Sequence, residues 1–345
     1  METVHCHILH RDPAVIVGFG GPLGPAKFMG KYLADLPAWF LVSPWWSIED
    51  PGILGEILEA YPAYKKAYPG HEIVYLCNTD REVTLLRERG LPAVFCHQNA
   101  FIDERLFVPD PLAPKPFDAI YNARLSPFKR HDLARLIPRL ALIYYGLGEN
   151  ERQMHALITR LLSEAAFLNG PPEPGRLRWF SPEKVAGYYN RSRVGLCLSD
   201  GEGAMYASAE YLLCGLPVVS IENIGGRDYF LDAPYCFTAE PHPEAVAQAV
   251  RYLGDQHFDP FAIRQAVLQK MLPERERLIA LVQSILDASG KNTDFRRIWP
   301  EIFINKLHIL NRDAAAMAES LRAGPDSAAR PARPAAMAMA SEFVS

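Results

Sequence analysis

Paired cysteines, long apolar runs and an excess of one charge are all missing from this sequence of 345 residues. The six cysteines, Cys6, Cys77, Cys96, Cys197, Cys214 and Cys236, are scattered and form no Cys-x-x-Cys. Most sit inside apolar runs such as VGLCL and EYLLCG, which speaks against a disulfide framework and fits buried thiols in a reducing compartment. No apolar stretch approaches the roughly 18 residues that a membrane span needs, and no basic leader precedes an apolar signal core. A net charge of -4 argues against a dedicated nucleic-acid surface. The expectation is a cytoplasmic protein, with peripheral contact at the inner face of the membrane left open.

What is present is the composition of a globular enzyme, 49% hydrophobic and 22% charged, on a chain long enough for two compact domains. In the first third AVIVGFG (14 to 20), WFLVS (39 to 43), EIVYLC (72 to 77) and PAVFCH (92 to 97) read as buried strands. Helical patterns at 26 to 36 and 79 to 90 lie between them, and that alternation implies a parallel sheet. The segment VPDPLAPKP, between Phe107 and Phe117, is too rich in proline to continue a helix or strand and reads as a linker. A second series follows, with strands at 118 to 123, 140 to 146, 177 to 181, 194 to 198 and 216 to 221. Its helices fall around 149 to 166, 183 to 190 and 204 to 215, the pattern of a second doubly wound α/β unit. The expected division is 1–112, 113–300, helices at 301–322 packing back on the first domain, and an Ala-, Pro- and Ser-rich disordered tail at 323–345.

The most informative stretch is SDGEGAMYASAEYLLCGLPVVS, from Ser199 to Ser220. A buried strand, VGLCL, runs into a polar turn and then a helix. Such a turn lies at the edge where open α/β sheets bind ligands, and the free amides of the helix start attract anions. Gly203, Ala204, Ala207 and Ser208 are small enough to let a sugar diphosphate approach the backbone. Glu202 stands beside the turn and Glu210 eight residues on, and two carboxylates can accept hydrogen bonds from two diol-bearing parts of one ligand, a hexose and a ribose. On spacing alone, a helix cap at Glu202 and a solvated Glu210 fit equally well. The loop RLSPFKRHDLARL, which follows the strand DAIYNA, favours the ligand reading. Its Arg124 and Lys129 leave the same sheet edge, where cations oppose the helix dipole, and two fixed cations neutralise a diphosphate leaving group.

These segments resemble the retaining GT-B glycosyltransferases with an E-x7-E signature, the glycosyltransferase family 4-like group, and the resemblance runs from about Asn78 to Val250. QNAFIDERLFVP is similar to that family's N-G-V-D-x-x-x-F run, with Asn99, Asp103 and Phe107 on pattern positions. ARLSPFKRHDL is similar to G-R-L-x-x-x-K-G-H-D-x-L, with Ala123 and Arg130 in place of glycines. EGAMYASAEYLLCGLPVV is similar to E-G-F-G-x-x-x-x-E-A-x-A-x-G-x-P-V-V, with Ala204 and Met205 in place of Phe-Gly, and GGRDYFLD (225 to 232) lacks the acid of G-G-x-x-E. The resemblance implies two Rossmann-like doubly wound domains facing a central cleft, the first for acceptor and the second for a nucleotide-sugar donor. It implies diphosphate binding by Arg124 and Lys129, donor-sugar contact by Glu202, ribose contact by Glu210, and backbone contacts at Gly203, Ala204, Met205 and Tyr206. It also implies hexosyl transfer with retention to a glycan, lipid-linked or small-molecule acceptor, as in polysaccharide biosynthesis, with no cofactor and no metal. In keeping with the last point, the chain has no Asp-x-Asp triplet.

Weaker signals surround this reading. GFGGPLG (18 to 24) follows the first strand and would put Gly20 and Gly21 near the donor phosphate; a structural turn is as good an account. The same loop supports a rival, a nicotinamide-linked oxidoreductase, although no acid follows the strand that ends at Ser43. A catalytically silent carbohydrate-binding protein is the other alternative. His97, at a strand end, is a candidate contact to sugar or acceptor, against the commoner use of such a residue as a buried, satisfied histidine. Trp45 and Trp46 offer indole surface for a sugar acceptor, against ordinary core packing. The cluster His5, Cys6, His7 and His10 lacks the spacing of a metal site. The first domain is short for this architecture, so acceptor recognition through a partner, a homodimer interface or a small acceptor stays open.

Overall fold

The computed structural model describes residues 2–145, 149–170 and 178–323. The chain begins with β1 (Thr3–Arg11) and β2 (Ala14–Phe19), followed by the single turn α1 (Ala26–Met29), β3 (Ala38–Ser43), α2 (Pro51–Ala67), β4 (His71–Cys77), α3 (Asp80–Arg87) and β5 (Ala93–Phe95). Strands β2 to β5 are parallel neighbours in chain order, while β1 folds back antiparallel on β2. All six residues of β2 are buried, as a parallel strand covered on both faces requires. Helix α2 starts where Asp50 accepts from the amides of Gly52 and Ile53, with Pro51 in the first turn. Helix α3 starts with a capping box between Thr79 and Glu82.

The second unit contains β6 (Phe117–Arg124), β7 (Leu140–Tyr145), α4 (Glu149–Leu161), β8 (Ala166–Phe167), α5 (Pro182–Asn190), β9 (Ser192–Cys197), α6 (Tyr206–Leu213), β10 (Val218–Ser220), β11 (Cys236–Thr238) and α7 (Pro243–Gly254). Its six strands are all parallel, in the order β8-β7-β6-β9-β10-β11. That is the third, second, first, fourth, fifth and sixth strand of the unit, the doubly wound order whose direction reverses between β6 and β9. At such a switch point the crossovers leave on opposite faces and a crevice opens at the carboxyl ends of the two strands.

Helix α8 (Pro260–Ala288) then joins the two cores. Ile263, Val267 and Met271 in its first half pack with the second sheet, while Leu278, Val282, Ile285 and Leu286 pack against Val15, Val17, Leu41, Val74 and Leu76 of the first. After α9 (Phe295–Ile302) the chain adds β12 (Ile309–Asp313), antiparallel to β1, and closes with α10 (Ala314–Arg322) on the other face of the first sheet. The return to the first sheet therefore starts inside α8 and ends with a strand as well as helices. Among the described residues no helix is long and apolar enough to cross a membrane.

Several expected elements differ. The helix read over 26 to 36 is α-helical only to Met29 and continues as a tighter helical turn over Gly30–Tyr32, where a Cβ at Gly30 would lie 2.6 Å from the Tyr64 hydroxyl. The sequence suggests a strand at 177 to 181, yet residues 178–181 pair with no strand and Trp179 is exposed; the outer partner of β7 is the two-residue β8, at the end of the helix expected over 149 to 166. Five of the cysteines are buried, Cys236 is half-buried, and all six are free. The expected tail lies outside the described residues from 324 onward.

Candidate active site

The switch point brings the two strand-end loops together. After β6 the chain makes a tight turn, Ser126 to Lys129, in which the Lys129 carbonyl accepts a hydrogen bond of 2.6 Å from the buried Tyr121 hydroxyl. Arg130 then adopts a left-handed backbone, φ 49°. Lys129 is buried and its ammonium forms an ion pair with Glu202, which leaves the end of β9. Burial pushes the Lys129 ammonium down to about 7, and the charges of Arg227 and Arg124 push the same way. The touching Glu202 carboxylate works in the opposite sense and holds the proton on. Arg124 is exposed at the tip of β6, near enough for its charge to act on Lys129.

Glu202 is set by the loop that follows β10. Its amide donates to Ile224 O at 3.0 Å, and Gly225, φ 109°, passes so close that a Cβ there would lie 2.1 Å from Glu202 O. Beneath this layer lies Arg227, fully buried. Its guanidinium donates to the carbonyls of Ser199 and Ile221, to Ser220 Oγ at 2.6 Å and to Asp228 at 2.7 Å, tying together the chain just past β9 and β10. Met205, the residue before α6, also has a left-handed backbone, φ 50°. Met205 and Arg130 both stand where the resembling family has glycine, the residue that adopts a left-handed backbone freely.

The first unit closes on these loops. A Cβ at Gly203 would lie 2.5 Å from Trp45 O, so the turn after β9 touches the loop after β3 backbone to backbone. Trp45 and Trp46 are about half exposed; Trp45 stacks on His5 and Trp46 meets Phe128 edge-on at 5.1 Å, next to Lys129. Glu82, buried, accepts from Ser47 Oγ and from the amides of Ile48, Asn78 and Thr79, so the cap of α3 also anchors the tryptophan loop. Asn99 Nδ2 donates to Ala204 O at 2.8 Å and to Met205 O at 3.2 Å. His97 is fully buried, with Nε2 2.8 Å from Gly226 O and Nδ1 accepting from the Asn99 amide. Both ring nitrogens are spent and burial holds its pKa down at about 4, so it links the units as a neutral ring and turns no nitrogen to the cleft. Gly21 faces open space and Gly20 donates to Ser43 O; neither touches Lys129 or Glu202.

Glu210 is buried one helix away. Tyr189 donates to its Oε2 at 2.8 Å, and Lys306 pairs with its Oε1 at 2.8 Å. Arg227 and Lys306 escape the sequence reading: the first lies in the departure GGRD, which marks the spot without saying that the side chain turns inward, and the second carries no local signal at all. His5, Cys6, His7 and His10 lie along β1, and among the described residues no three His, Cys, Asp or Glu side chains gather as ligands. Among the described residues, five buried polar atoms around these turns have no partner: Ser126 Oγ, His131 Nδ1, Asn99 Oδ1, Tyr206 Oη and Asn223 Oδ1.

Two Rossmann-like units meeting at the carboxyl ends of their sheets, with a chain that crosses back at the end, constitute the GT-B fold. Among solved structures, HepE of Anabaena, in complex with UDP, matches with a TM-score of 0.55 at 14% identity over 78% of this chain and 78% of HepE. TarM matches with a TM-score of 0.54 at 14% identity over 77% of this chain and 54% of TarM, so the chain spans about half the length of that protein. A glycosyltransferase from Rickettsia africae matches with a TM-score of 0.52 at 17% identity, over 80% of this chain and 77% of that one. At such identities the likeness is one of fold. No family model matches the sequence, and no curated protein matches it.

Proposed function

We propose that this protein is a glycosyltransferase that moves a hexose from a nucleoside-diphosphate sugar to a carbohydrate, glycolipid or small-molecule acceptor, with retention at the anomeric carbon and without a metal. The observation that carries the reading is the meeting of Lys129 and Glu202 at the switch point of the second sheet, beside the Trp45–Trp46 loop of the first. The partnerless polar atoms around these turns fit a polar ligand. In the reaction the bond from the anomeric carbon to the phosphate oxygen breaks and its electron pair stays on the diphosphate. The acceptor oxygen bonds to the carbon, and its proton passes to the departing phosphate. Arg124 and Lys129 stabilise the leaving charge in a site where burial strengthens each interaction. Glu202 shares its carboxylate between Lys129 and a donor-sugar hydroxyl, Glu210 takes the ribose, and the backbone from Gly203 to Tyr206 receives the phosphate and sugar. Gly20 and Gly21 face open space from the other unit, and Trp45 and Trp46 stack the acceptor. Retention rests on the resemblance of the Ser199–Ser220 segment.

A dinucleotide-binding role for Gly18–Gly24 is disfavoured, since the helix after that loop is a single turn and offers little dipole to a pyrophosphate. Thermal shift with a panel of nucleoside diphosphates, nucleotide sugars and NADH tests the reading. Nucleotide sugars are expected to raise Tm and to be consumed with a suitable acceptor, giving a product whose anomeric coupling constant equals that of the donor. Stabilisation by NADH alone would sink it.

A further inference from the structure

Glu210 is held by a residue almost a hundred positions further along the chain. Lys306 lies between α9 and β12, where the chain returns to the first unit, and its φ of 63° is one that residues with a Cβ rarely adopt. Its Nζ sits 2.8 Å from Glu210 Oε1 and 4.4 Å from the centre of the Tyr206 ring. Tyr206 is the first residue of α6, so the ammonium stands near the anion-attracting end of that helix. Tyr206 Oη, buried, has no partner. The segment is fixed on both sides of Lys306: Asn305 Oδ1 accepts from the Asp103 amide at 2.9 Å, and the His308 ring stacks on Tyr206. A cation placed between a carboxylate suited to a ribose and a helix start suited to a phosphate has chemistry to offer both halves of a nucleoside diphosphate.

We infer that Lys306 is a donor-binding residue with two positions: on Glu210 before the donor binds, and on the nucleotide phosphate once the ribose hydroxyls have taken the Glu210 oxygens. This rests on the nucleotide-sugar reading above. The exchange is chemically even at Glu210, where hydrogen bonds from two vicinal hydroxyls replace one from an ammonium. It is favourable at the phosphate, which gains a cation in addition to Arg124 and Lys129. The lysine suits the task because its charge is compact and its four-carbon stem flexible.

Calorimetric titration separates the two positions. Uridine, adenosine and guanosine, and their diphosphates, are titrated into the wild type, Lys306→Met and Lys306→Arg. A nucleoside lacks the phosphate, so for it Lys306 is only a competitor at Glu210, and Lys306→Met is expected to bind it severalfold more tightly. The diphosphate of the same base is expected to bind Lys306→Met about tenfold more weakly, with Lys306→Arg recovering most of the loss. Should Lys306→Met fold poorly, Lys306→Gln, which keeps a donor for Glu210, is expected to give the same opposite-signed pair in milder form. Equal weakening of both ligands, or no change in either, overturns the inference and leaves the nucleotide-sugar reading intact. A wild type that binds none of the diphosphates overturns that reading, and the inference with it.

Discussion

Burial, aided by the charges of Arg227 and Arg124, draws the Lys129 ammonium down to about 7, where an ordinary lysine would stay protonated to about 10.5, and the ion pair with Glu202 favours its charged form. On the proposed function the charged form binds the diphosphate, so donor kcat/KM is expected to fall as pH rises through about 7. In Glu202→Gln, which removes the negative charge, that fall moves to lower pH, and the rate drops by about a hundredfold or more. A pH profile unchanged in Glu202→Gln would break the link. The linkage to stability has its own sign: between about 7 and 10.5 the unfolded lysine binds a proton that the folded one has lost, so this group's contribution to stability rises with pH in that window. Arg130 shows strain at the same scale. A left-handed backbone costs a side-chain-bearing residue roughly 1–2 kcal/mol, and glycine returns part of that through the entropy of the unfolded chain. Arg130→Gly is therefore expected to gain up to about 1 kcal/mol in urea unfolding, less its 3.7 Å surface pair with Asp200.

Between elements, the site depends on how closely two loops approach. The missing Cβ of Gly203 leaves room for Trp45 O, and since the clash in Gly203→Ala would be with backbone, no rotamer change relieves it. The variant is expected to lose about 1–3 kcal/mol of stability, and to raise the acceptor KM more than the donor KM because the displaced loop carries Trp45 and Trp46. Equal effects on the two substrates would remove the acceptor role from that loop. The helical period over 79 to 90, which includes Glu82, was legible from sequence. That the same glutamate also anchors Ser47 and Ile48 was not, because nothing in a local pattern says which loop will lie across a helix cap.

Across the whole molecule, buried neutral histidines make the union of the two units sensitive to acid. Burial lowers His97 to about 4, and an unfolded histidine takes up its proton near 6.5. Between those values the unfolded state binds more protons, so stability falls as pH drops from about 6.5 toward 4, by on the order of 3 kcal/mol for this group. His308, also drawn down to about 4 by burial, acts in the same direction from the return segment. Denaturation midpoints at pH 7 and 4.5 check this: the wild type is expected to lose stability steeply, and His97→Gln less so. An equally steep loss in that variant would show that the protonation lies elsewhere.

The alternation of apolar runs with helical periods determined two parallel α/β units, and the residue types after β6 and β9 determined that Arg124, Lys129, Glu202 and Glu210 belong to one sheet edge. Both are local properties: a strand's direction and the loop that leaves its carboxyl end follow from a few consecutive residues. Three things were decided only by the tertiary structure, namely the Lys129–Glu202 ion pair, the inward turn of Arg227 and the arrival of Lys306 on Glu210. Each depends on which strands become neighbours and where a returning chain crosses. Such contacts join residues far apart along the chain, so no local period or spacing carries their signal. His97 illustrates the same divide, since its position at a strand end was readable in advance, but the partner of its Nε2 is a glycine of the other unit.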